Sequence, residues 1–263
     1  MFPDFTIFGN THPMYGTIGL VALVIGAAVA SLRIKRFGFK DTDVILATAV
    51  AGGFLLLGAG ALYALVQIPI LVRHWAHFAG DITAIFRLLF SGMVFYGGLI
   101  GAVFGLWVFT KIWKKDFGNL LRLAVPVLPL THGIMRIGCF LAGCCHGMPH
   151  DILGIAFTRS TVSPNGIPFL PVPLYESALN FVLFAILWQY SKKERQPVQL
   201  ISLYAIPYAI GRFGLEFLRG DAARGFLLGL STSQFISVLL VIGCVVALIL
   251  TTDKHRKTRK KDF

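Results

Sequence analysis

The residue whose chemistry stands out most is Arg136, because it lies inside an apolar segment. It belongs to the stretch from Met135 to Gly147, which also carries three of the chain's four cysteines. Placing an arginine in a membrane span costs about 2.5–3.5 kcal/mol on insertion scales. Such a residue usually faces a polar cavity, where its charge acts on a ligand or partner. We therefore expect the function to centre on Arg136.

The cysteines of the same stretch raise the question of a metal site. Cys139, Cys144, Cys145 and His146, with His150 nearby, offer sulfur and nitrogen atoms of the kind that bind zinc. The spacing Cys-x4-Cys-Cys-His is not typical of zinc sites, and adjacent cysteines on a helix point apart. We expect small side chains that pack around the arginine, with no metal and no cofactor. Metal binding and a redox or disulfide role are the alternatives.

Polar residues at matching depth come from several apolar segments. At 1.5 Å per helical residue, they fall in the outer half of the membrane. They are Tyr15, Tyr96, Arg136, Tyr175, Glu176, Arg212 and Glu216. This convergence predicts a site that opens toward the outer leaflet.

Several of these residues also allow a structural interpretation. Tyr15 and Tyr175 fit an interfacial aromatic belt. Glu176 and Glu216 could act only as ion-pair partners of the two arginines and hold helices together. His132, one turn before the first arginine, fits a packing role, with a proton relay as the alternative.

The glycines that follow Tyr96 have two interpretations. Gly97, Gly98 and Gly101 include a pair at four-residue spacing, which permits close helix packing. The alternative is that these glycines clear space for a ligand.

Composition predicts the elements that must position this site. The chain has 263 residues, of which 56% are hydrophobic and 14% are charged, and its mean hydropathy is +0.75. Soluble domains carry about 25% charged residues, so we predict an all-α integral membrane protein. Its seven predicted transmembrane helices are 14–32, 44–71, 88–113, 119–144, 172–190, 198–218 and 232–252.

The positive charges predict how these spans are oriented. The net charge is +12, and basic clusters follow the first, third, fifth and seventh spans. The positive-inside rule then puts the N-terminus outside and the C-terminus in the cytoplasm. Short clusters between apolar spans disfavour nucleic-acid binding and favour an anionic lipid surface. We expect one membrane domain, 1–263, with an ordered extracytoplasmic loop or lid at about 146–171.

Several motifs together resemble the prolipoprotein diacylglyceryl transferases of bacteria, in order and over nearly the whole chain. The resemblance rests on the following runs: Tyr15-Gly16; Tyr96-Gly97-Gly98-Leu99-Ile100-Gly101; Met135-Arg136-Ile137-Gly138-Cys139-Phe140 with Gly143, Cys144 and Gly147; Pro173-Leu174-Tyr175-Glu176; and Gly211-Arg212-Phe213-Gly214-Leu215-Glu216-Phe217-Leu218-Arg219. Members of that family have seven spans and an outside N-terminus.

The resemblance implies an activity and the partners it needs. Such an enzyme moves a diacylglyceryl group from phosphatidylglycerol to the lipobox cysteine thiol of a preprolipoprotein, and glycerol phosphate leaves. The acceptor would be presented on the preprolipoprotein signal peptide, and the enzyme would lie in the bacterial inner membrane.

The resemblance also implies residue roles. Arg136 and Arg212 would hold the lipid phosphate, because guanidinium groups match phosphate bidentately, and Glu216 would orient an arginine. Tyr96 stands at the family's catalytic position. The implied substrate-binding residues are Tyr15, Gly98, Gly138, Cys139, Cys144, Tyr175, Glu176 and Arg219.

The chain departs from the family pattern at the positions nearest the chemistry. The family's histidine, its proposed base, is Tyr96 here, and a tyrosine with a pKa near 10 is a poor base at neutral pH. The signature asparagine is Cys139, and the acidic residue after it is Cys144. His132 or His146 could substitute as the base. The alternatives for function are a related lipid transferase with another acceptor and a non-catalytic phospholipid-binding protein.

Overall fold

Helices dominate the structure, a computed structural model that describes residues 3–92, 94–160, 162–220, 226–227 and 229–259. In chain order they are α1 (Met14–Ser31), α2 (Ile34–Phe37), α3 (Asp41–Arg73), α4 (Trp75–Phe78), α5 (Ile82–Phe90), α6 (Phe95–Ile112), α7 (Phe117–Ala124), α8 (Leu128–Ala142), α9 (Val172–Tyr190), α10 (Pro197–Leu215) and α11 (Thr232–Arg259). Short 3-10 turns at Val125–Val127 and Glu216–Leu218 extend α7 and α10.

The strands of the described chain are short and pair locally. Three antiparallel hairpins form, namely β1 (Asp4–Ile7) with β2 (Asn10–Pro13), β3 (Ile155–Ala156) with β4 (Pro168–Phe169), and β5 (Phe226–Leu227) with β6 (Leu230–Ser231). The prediction of a mostly helical membrane protein is confirmed.

Within the described ranges, six helical segments are long and apolar enough to cross a membrane. They are Met14–Ser31, Asp41–Arg73, Phe117–Ala142, Val172–Tyr190, Pro197–Leu218 and Thr232–Thr252. The third predicted span, 88–113, is the one that is not matched, because α5 ends at Phe90 and α6 starts at Phe95. The apolar helix there, Gly97–Ile112, is shorter than the other six.

The break in the third predicted span lies against α3. The chain meets α3 at Gly92, where an added Cβ would lie 2.6 Å from Cζ of Tyr63. The Tyr63 hydroxyl also lies 3.3 Å from the Ser91 hydroxyl. A larger residue at position 92 would have to displace the Tyr63 ring, and the hydropathy pattern gives no sign of this contact.

The chain divides into two compact units, of which one is Ser31–Leu120. In this unit α3 packs on α6 through glycines. A Cβ on Gly97 would overlap the Gly58 carbonyl oxygen, and a Cβ on Gly98 would lie 3.3 Å from Cγ of Leu55. The packing interpretation of these glycines is confirmed. Near the start of α3, Asp43 accepts a 2.6 Å ion-paired hydrogen bond from Lys115.

The other unit comprises Met1–Ala30 and Leu121–Phe263. Here α8 packs on α9, α9 on α10, and α10 on α11. Val125, Leu187 and Leu200 form a buried apolar cluster among these helices. Farther along the same helices the interior is polar, because Glu176, Ser177 and Asn180 of α9 are buried.

The connection between α8 and α9 is ordered by backbone hydrogen bonds. The Gly147 amide donates to the Leu170 carbonyl at 2.8 Å, and the Met148 amide donates to the Leu218 carbonyl at 2.8 Å. The rings of Phe157 and Phe169, which are 1% and 5% exposed, stack inside the loop. This segment is therefore packed onto the ends of α9 and α10 within its own unit.

Candidate active site

Close contact between α8 and α9 places Arg136 beside an acid. A Cβ on Gly133 would lie 2.9 Å from the Phe181 ring, so only a glycine fits at this crossing. The Ser177 hydroxyl donates to the Gly133 carbonyl at 2.8 Å and holds the two helices in register. Three residues beyond Gly133, the Arg136 side chain meets Glu176.

Arg136 and Glu176 form a buried ion pair. The Arg136 Nη2 atom lies 2.8 Å from Glu176 Oε1, and the two side chains are 18% and 2% exposed. A pair this buried is costly to break, because either charge would be left uncompensated. Glu176 therefore holds the guanidinium in a fixed position.

A hydrogen-bonded network surrounds Glu176. The Tyr208 hydroxyl donates to Glu176 Oε1 at 2.7 Å, and Tyr204 donates to Asn180 Oδ1 at 3.1 Å. The His132 Nδ1 atom lies 2.8 Å from the Tyr204 oxygen. Since Tyr204 has one proton and gives it to Asn180, Nδ1 of His132 carries its own proton and donates. His132 is thus a satisfied partner in this network, with its other nitrogen, Nε2, 3.7 Å from Glu176.

Arg212 has a parallel arrangement at the end of α10. Its Nη2 atom lies 2.8 Å from Glu216 Oε2, four residues later. The same nitrogen lies 3.1 Å from the Ser233 hydroxyl of α11. Arg212 and Glu216 are 7% and 3% exposed. The expectation that Glu216 pairs with an arginine is confirmed as a contact.

Each arginine keeps one buried nitrogen atom whose N–H donors have no protein partner. Among the described residues, Arg136 Nε and Arg212 Nη1 have no hydrogen-bond acceptor. A buried donor without an acceptor is unfavourable, and a guanidinium donor especially so. Both arginine charges also act on Glu176, so the two groups share one polar region. Such an arrangement can take up an anion that accepts from both guanidinium groups.

Helix α1 borders this region through a small residue on α8. A Cβ on Gly138 would lie 3.1 Å from Ile18 and 3.7 Å from the Tyr15 carbonyl oxygen. Tyr15 interacts electrostatically with Arg136 and with the three nearby cysteines. Its side chain is 43% exposed, so a ligand can reach it.

The prediction that Cys144 and Cys145 point apart on a helix is wrong. Helix α8 ends at Ala142, because Gly143 takes a left-handed φ of 75°, and Cys145 has a φ of 59°. The sulfur atoms of Cys139, Cys144 and Cys145 all lie within 4.8 Å of one another. The turn that ends the helix therefore gathers all three thiols.

For the remaining predicted site residues, the described part of the chain shows no contact with the two arginines or does not include the side chain. At Tyr96 the structure describes only the backbone, at the start of α6, so its side chain lies outside the described residues. Gly98 is accounted for by packing against α3. Tyr175 is partly buried in the first turn of α9. Arg219 forms an isolated bridge with Gly147, next to the cysteine turn.

Four polar members of this region were not among the residues predicted from the sequence, namely Tyr204, Tyr208, Asn180 and Ser233. A signal for three of them was available. Tyr204, Tyr208, Arg212 and Glu216 recur every fourth residue along α10, and Asn180 follows Glu176 at the same interval. Residues at this spacing share a helix face. Ser233 carries no such signal.

The fold and site define a multi-span membrane protein with a buried dibasic site between packed helices. Residues 5–250 match the profile of the prolipoprotein diacylglyceryl transferase family. The chain belongs to that family of transferases.

Relatives with curated names match this chain over almost the full length of both proteins. One is the phosphatidylglycerol–prolipoprotein diacylglyceryl transferase of Clostridium tetani, 37% identical over 259 residues, which cover 96% of this chain and 98% of the relative. Another is phosphatidylglycerol–prolipoprotein diacylglyceryl transferase 2 of Clostridium perfringens, 33% identical over 252 residues and 95% of each chain. A homologue from Clostridioides difficile with the same activity in its name is 30% identical over 96% of each chain.

Proposed function

We propose that this chain transfers a diacylglyceryl group from phosphatidylglycerol to the lipobox cysteine thiol of a prolipoprotein. The relatives' names state this donor and this acceptor class. The observation that carries the proposal is the pair of buried arginine N–H groups that lack protein acceptors, Arg136 Nε and Arg212 Nη1. A phosphate ester supplies the charge and the oxygen atoms that would satisfy both.

In this proposal the two arginines bind the phosphate of the leaving glycerol phosphate. Each is held by its own carboxylate, Arg136 by Glu176 and Arg212 by Glu216, at 2.8 Å. Donors fixed in advance stabilise charge that develops on a leaving oxygen without reorganising during the reaction. Glu176 and Glu216 are thus positioning residues for the guanidinium groups.

The other site residues take the roles that the family resemblance implies for them. Tyr15, Gly138 and Tyr175 line the lipid, and Arg219 contributes charge at the outer edge. Tyr96 takes the family's catalytic position, with Gly98 beside it on α6. Cys139 and Cys144 replace the family's polar residues next to Arg136.

The proposed topology has seven spans, with the N-terminus outside and the C-terminus in the cytoplasm. The basic connections support it, and α6 would serve as the short third span. The whole chain then forms one membrane domain, with loop 146–171 on the outer face of the bacterial inner membrane. The acceptor would arrive there on the preprolipoprotein signal peptide.

The test is transfer in vitro, with purified protein, phosphatidylglycerol labelled in its acyl chains, and a lipobox peptide. We expect a labelled thioether on the peptide cysteine and release of glycerol phosphate. Arg212→Lys should lower turnover about 10²–10³-fold, because it removes one donor aimed at the phosphate. Arg87→Lys, on the exposed face of α5, is the matched control. No label on the peptide would refute the proposal.

A further inference from the structure

The three converging cysteines are not accounted for by phosphate binding. Cys139 lies in the last turn of α8, and Cys144 and Cys145 follow the turn at Gly143. Their sulfur atoms all lie within 4.8 Å of one another. A tetrahedral zinc ion with Zn–S bonds of 2.3 Å needs sulfur atoms about 3.8 Å apart, so small side-chain rotations suffice to close the site.

The backbone around these thiols is fixed in an uncommon conformation. Cys145 has a φ of 59°, and residues other than glycine adopt this region rarely and often at functional sites. The turn before it is held from the loop, since the hydroxyls of Ser160 and Ser163 both donate to the Gly143 carbonyl. These two hydrogen bonds anchor the turn that carries Cys144 and Cys145 to the loop.

The surrounding charge fits a metal bound by three thiolates. Three thiolates and one divalent cation have a net charge of −1, which needs a nearby cation. The Arg136 Nη1 atom lies 3.8 Å from the Cys139 sulfur, and the charges of Arg219 and Arg136 both act on Cys145.

We propose that Cys139, Cys144 and Cys145 bind one zinc ion, and that its open fourth position takes the acceptor thiol. Zinc sites with three protein ligands keep a position for substrate. A thiol that coordinates zinc is deprotonated. Cys144 and Cys145 are only partly buried, so a substrate can approach. The acceptor role rests on the proposed transferase function.

The step balances without any change of oxidation state. The acceptor S–H gives up its proton to solvent water on coordination, and a sulfur lone pair forms the new S–C bond to the glyceryl carbon. The C–O bond to phosphate breaks, and its electron pair leaves on glycerol phosphate, which takes up a proton. The zinc ion supplies the thiolate, which explains how the reaction proceeds with Tyr96 in place of a histidine base.

The site itself is tested by metal binding, apart from activity. Reduced protein dialysed against Zn²⁺ should retain one ion per chain. Its zinc-edge X-ray absorption should show three sulfur ligands at about 2.3 Å. Cys139→Ser, Cys144→Ser and Cys145→Ser should each weaken binding by more than the 10–100-fold that an outer-shell change costs. Cys244→Ala, in a buried cysteine of α11 outside the cluster, should bind as tightly as the parent.

Sub-stoichiometric zinc, or zinc bound by fewer than three sulfurs in the unaltered protein, would overturn the site. The unaltered protein decides this even if a serine variant fails to fold.

The acceptor role is tested by the pH dependence of transfer. Zinc removal should slow transfer at pH 6.5 by about 100-fold, because a free thiol with a pKa near 8.5 is then about 1% ionised. The rate of the metal-free enzyme should rise about tenfold per pH unit toward pH 8.5, whereas the zinc enzyme should change little. Equal transfer rates with and without zinc would overturn the proposal that zinc binds the acceptor thiol. The zinc-binding site itself would not be affected by that result. If neither the zinc-loaded nor the metal-free protein transfers the diacylglyceryl group, the proposed transferase function is refuted. The zinc site is still decided by the metal titration.

Discussion

The ion pair between Arg136 and Glu176 gives the sharpest test of the site's energetics. Glu176→Gln keeps the side-chain shape and removes the negative charge. The carboxylate is 2% exposed and lies 2.8 Å from the guanidinium, so Arg136 is left buried without its counter-ion. Removing one partner of a buried pair costs about 3–5 kcal/mol. The Tyr208 hydroxyl can still donate to the new amide oxygen, so the lost charge dominates this cost.

A second variant separates the charge from the hydrogen bond. Tyr208→Phe leaves the ion pair and removes one 2.7 Å hydrogen bond to Glu176. A hydrogen bond to a charged group contributes about 1.5–3 kcal/mol. We therefore expect Glu176→Gln to destabilise the protein more than Tyr208→Phe. The assay is denaturant titration in mixed micelles, which measures the free energy of unfolding of each variant.

Phosphatidylglycerol should partly rescue Glu176→Gln. A ligand at 100 times its dissociation constant stabilises a protein by about 2.7 kcal/mol. The variant should gain more than the parent, because the lipid phosphate supplies the missing counter-ion for Arg136. Diacylglycerol, which lacks phosphate, should give no such extra gain. Asp43→Asn, which breaks the ion pair with Lys115 in the other unit, is the control and should show no excess rescue. A loss below about 1 kcal/mol for Glu176→Gln, or equal rescue by both lipids, would refute this reasoning.

Two further predictions concern the unit formed by Ser31–Leu120. Gly97→Ala should cost about 1–3 kcal/mol in unfolding free energy, because its Cβ overlaps the Gly58 carbonyl, whereas Gly60→Ala, with nothing within 4 Å, should be tolerated. At the start of α5, hydrogen bonds from Thr83 and from the Ala84 amide hold the pKa of the Asp81 carboxyl below its usual value of 3.8. This stabilisation is present above the unfolded-state pKa and is lost as the pH falls through the folded-state pKa, so amide-exchange protection of α5 should fall on acidification. Asp81→Asn should keep the cap and abolish that pH dependence; unchanged exchange in the parent would contradict the assignment.

The helical membrane architecture was predictable because hydropathy and length are local properties. Six of the seven predicted spans coincide, within a few residues, with apolar helical segments long enough to cross a membrane. The break in the third span was not predictable, and the contact that Gly92 makes there with the Tyr63 ring joins segments distant in sequence. Contacts between segments distant in sequence are not visible in a hydropathy pattern.

The site was predictable only in part, because some of its features are local and others depend on contacts between helices. Arg136 and Arg212 stood out because charge is costly in an apolar segment. Glu176 and Glu216 could be considered as their acidic partners because all four residues fall in the outer half of the predicted membrane. The network through Tyr208 depends on how α9 and α10 face each other. The cysteine cluster depends on a left-handed φ at Gly143. A helix assumed to continue through Cys144 separates thiols that this turn brings together.

The central claim is that two arginines hold one phosphate, and a structure with bound phosphatidylglycerol measures this most directly. We predict phosphate oxygens within hydrogen-bond distance, about 3.2 Å or less, of both Arg136 Nε and Arg212 Nη1. The carboxylates of Glu176 and Glu216 should keep their 2.8 Å contacts to Nη2 of the same guanidinium groups. A headgroup bound elsewhere, with both donors still lacking acceptors, would contradict the claim.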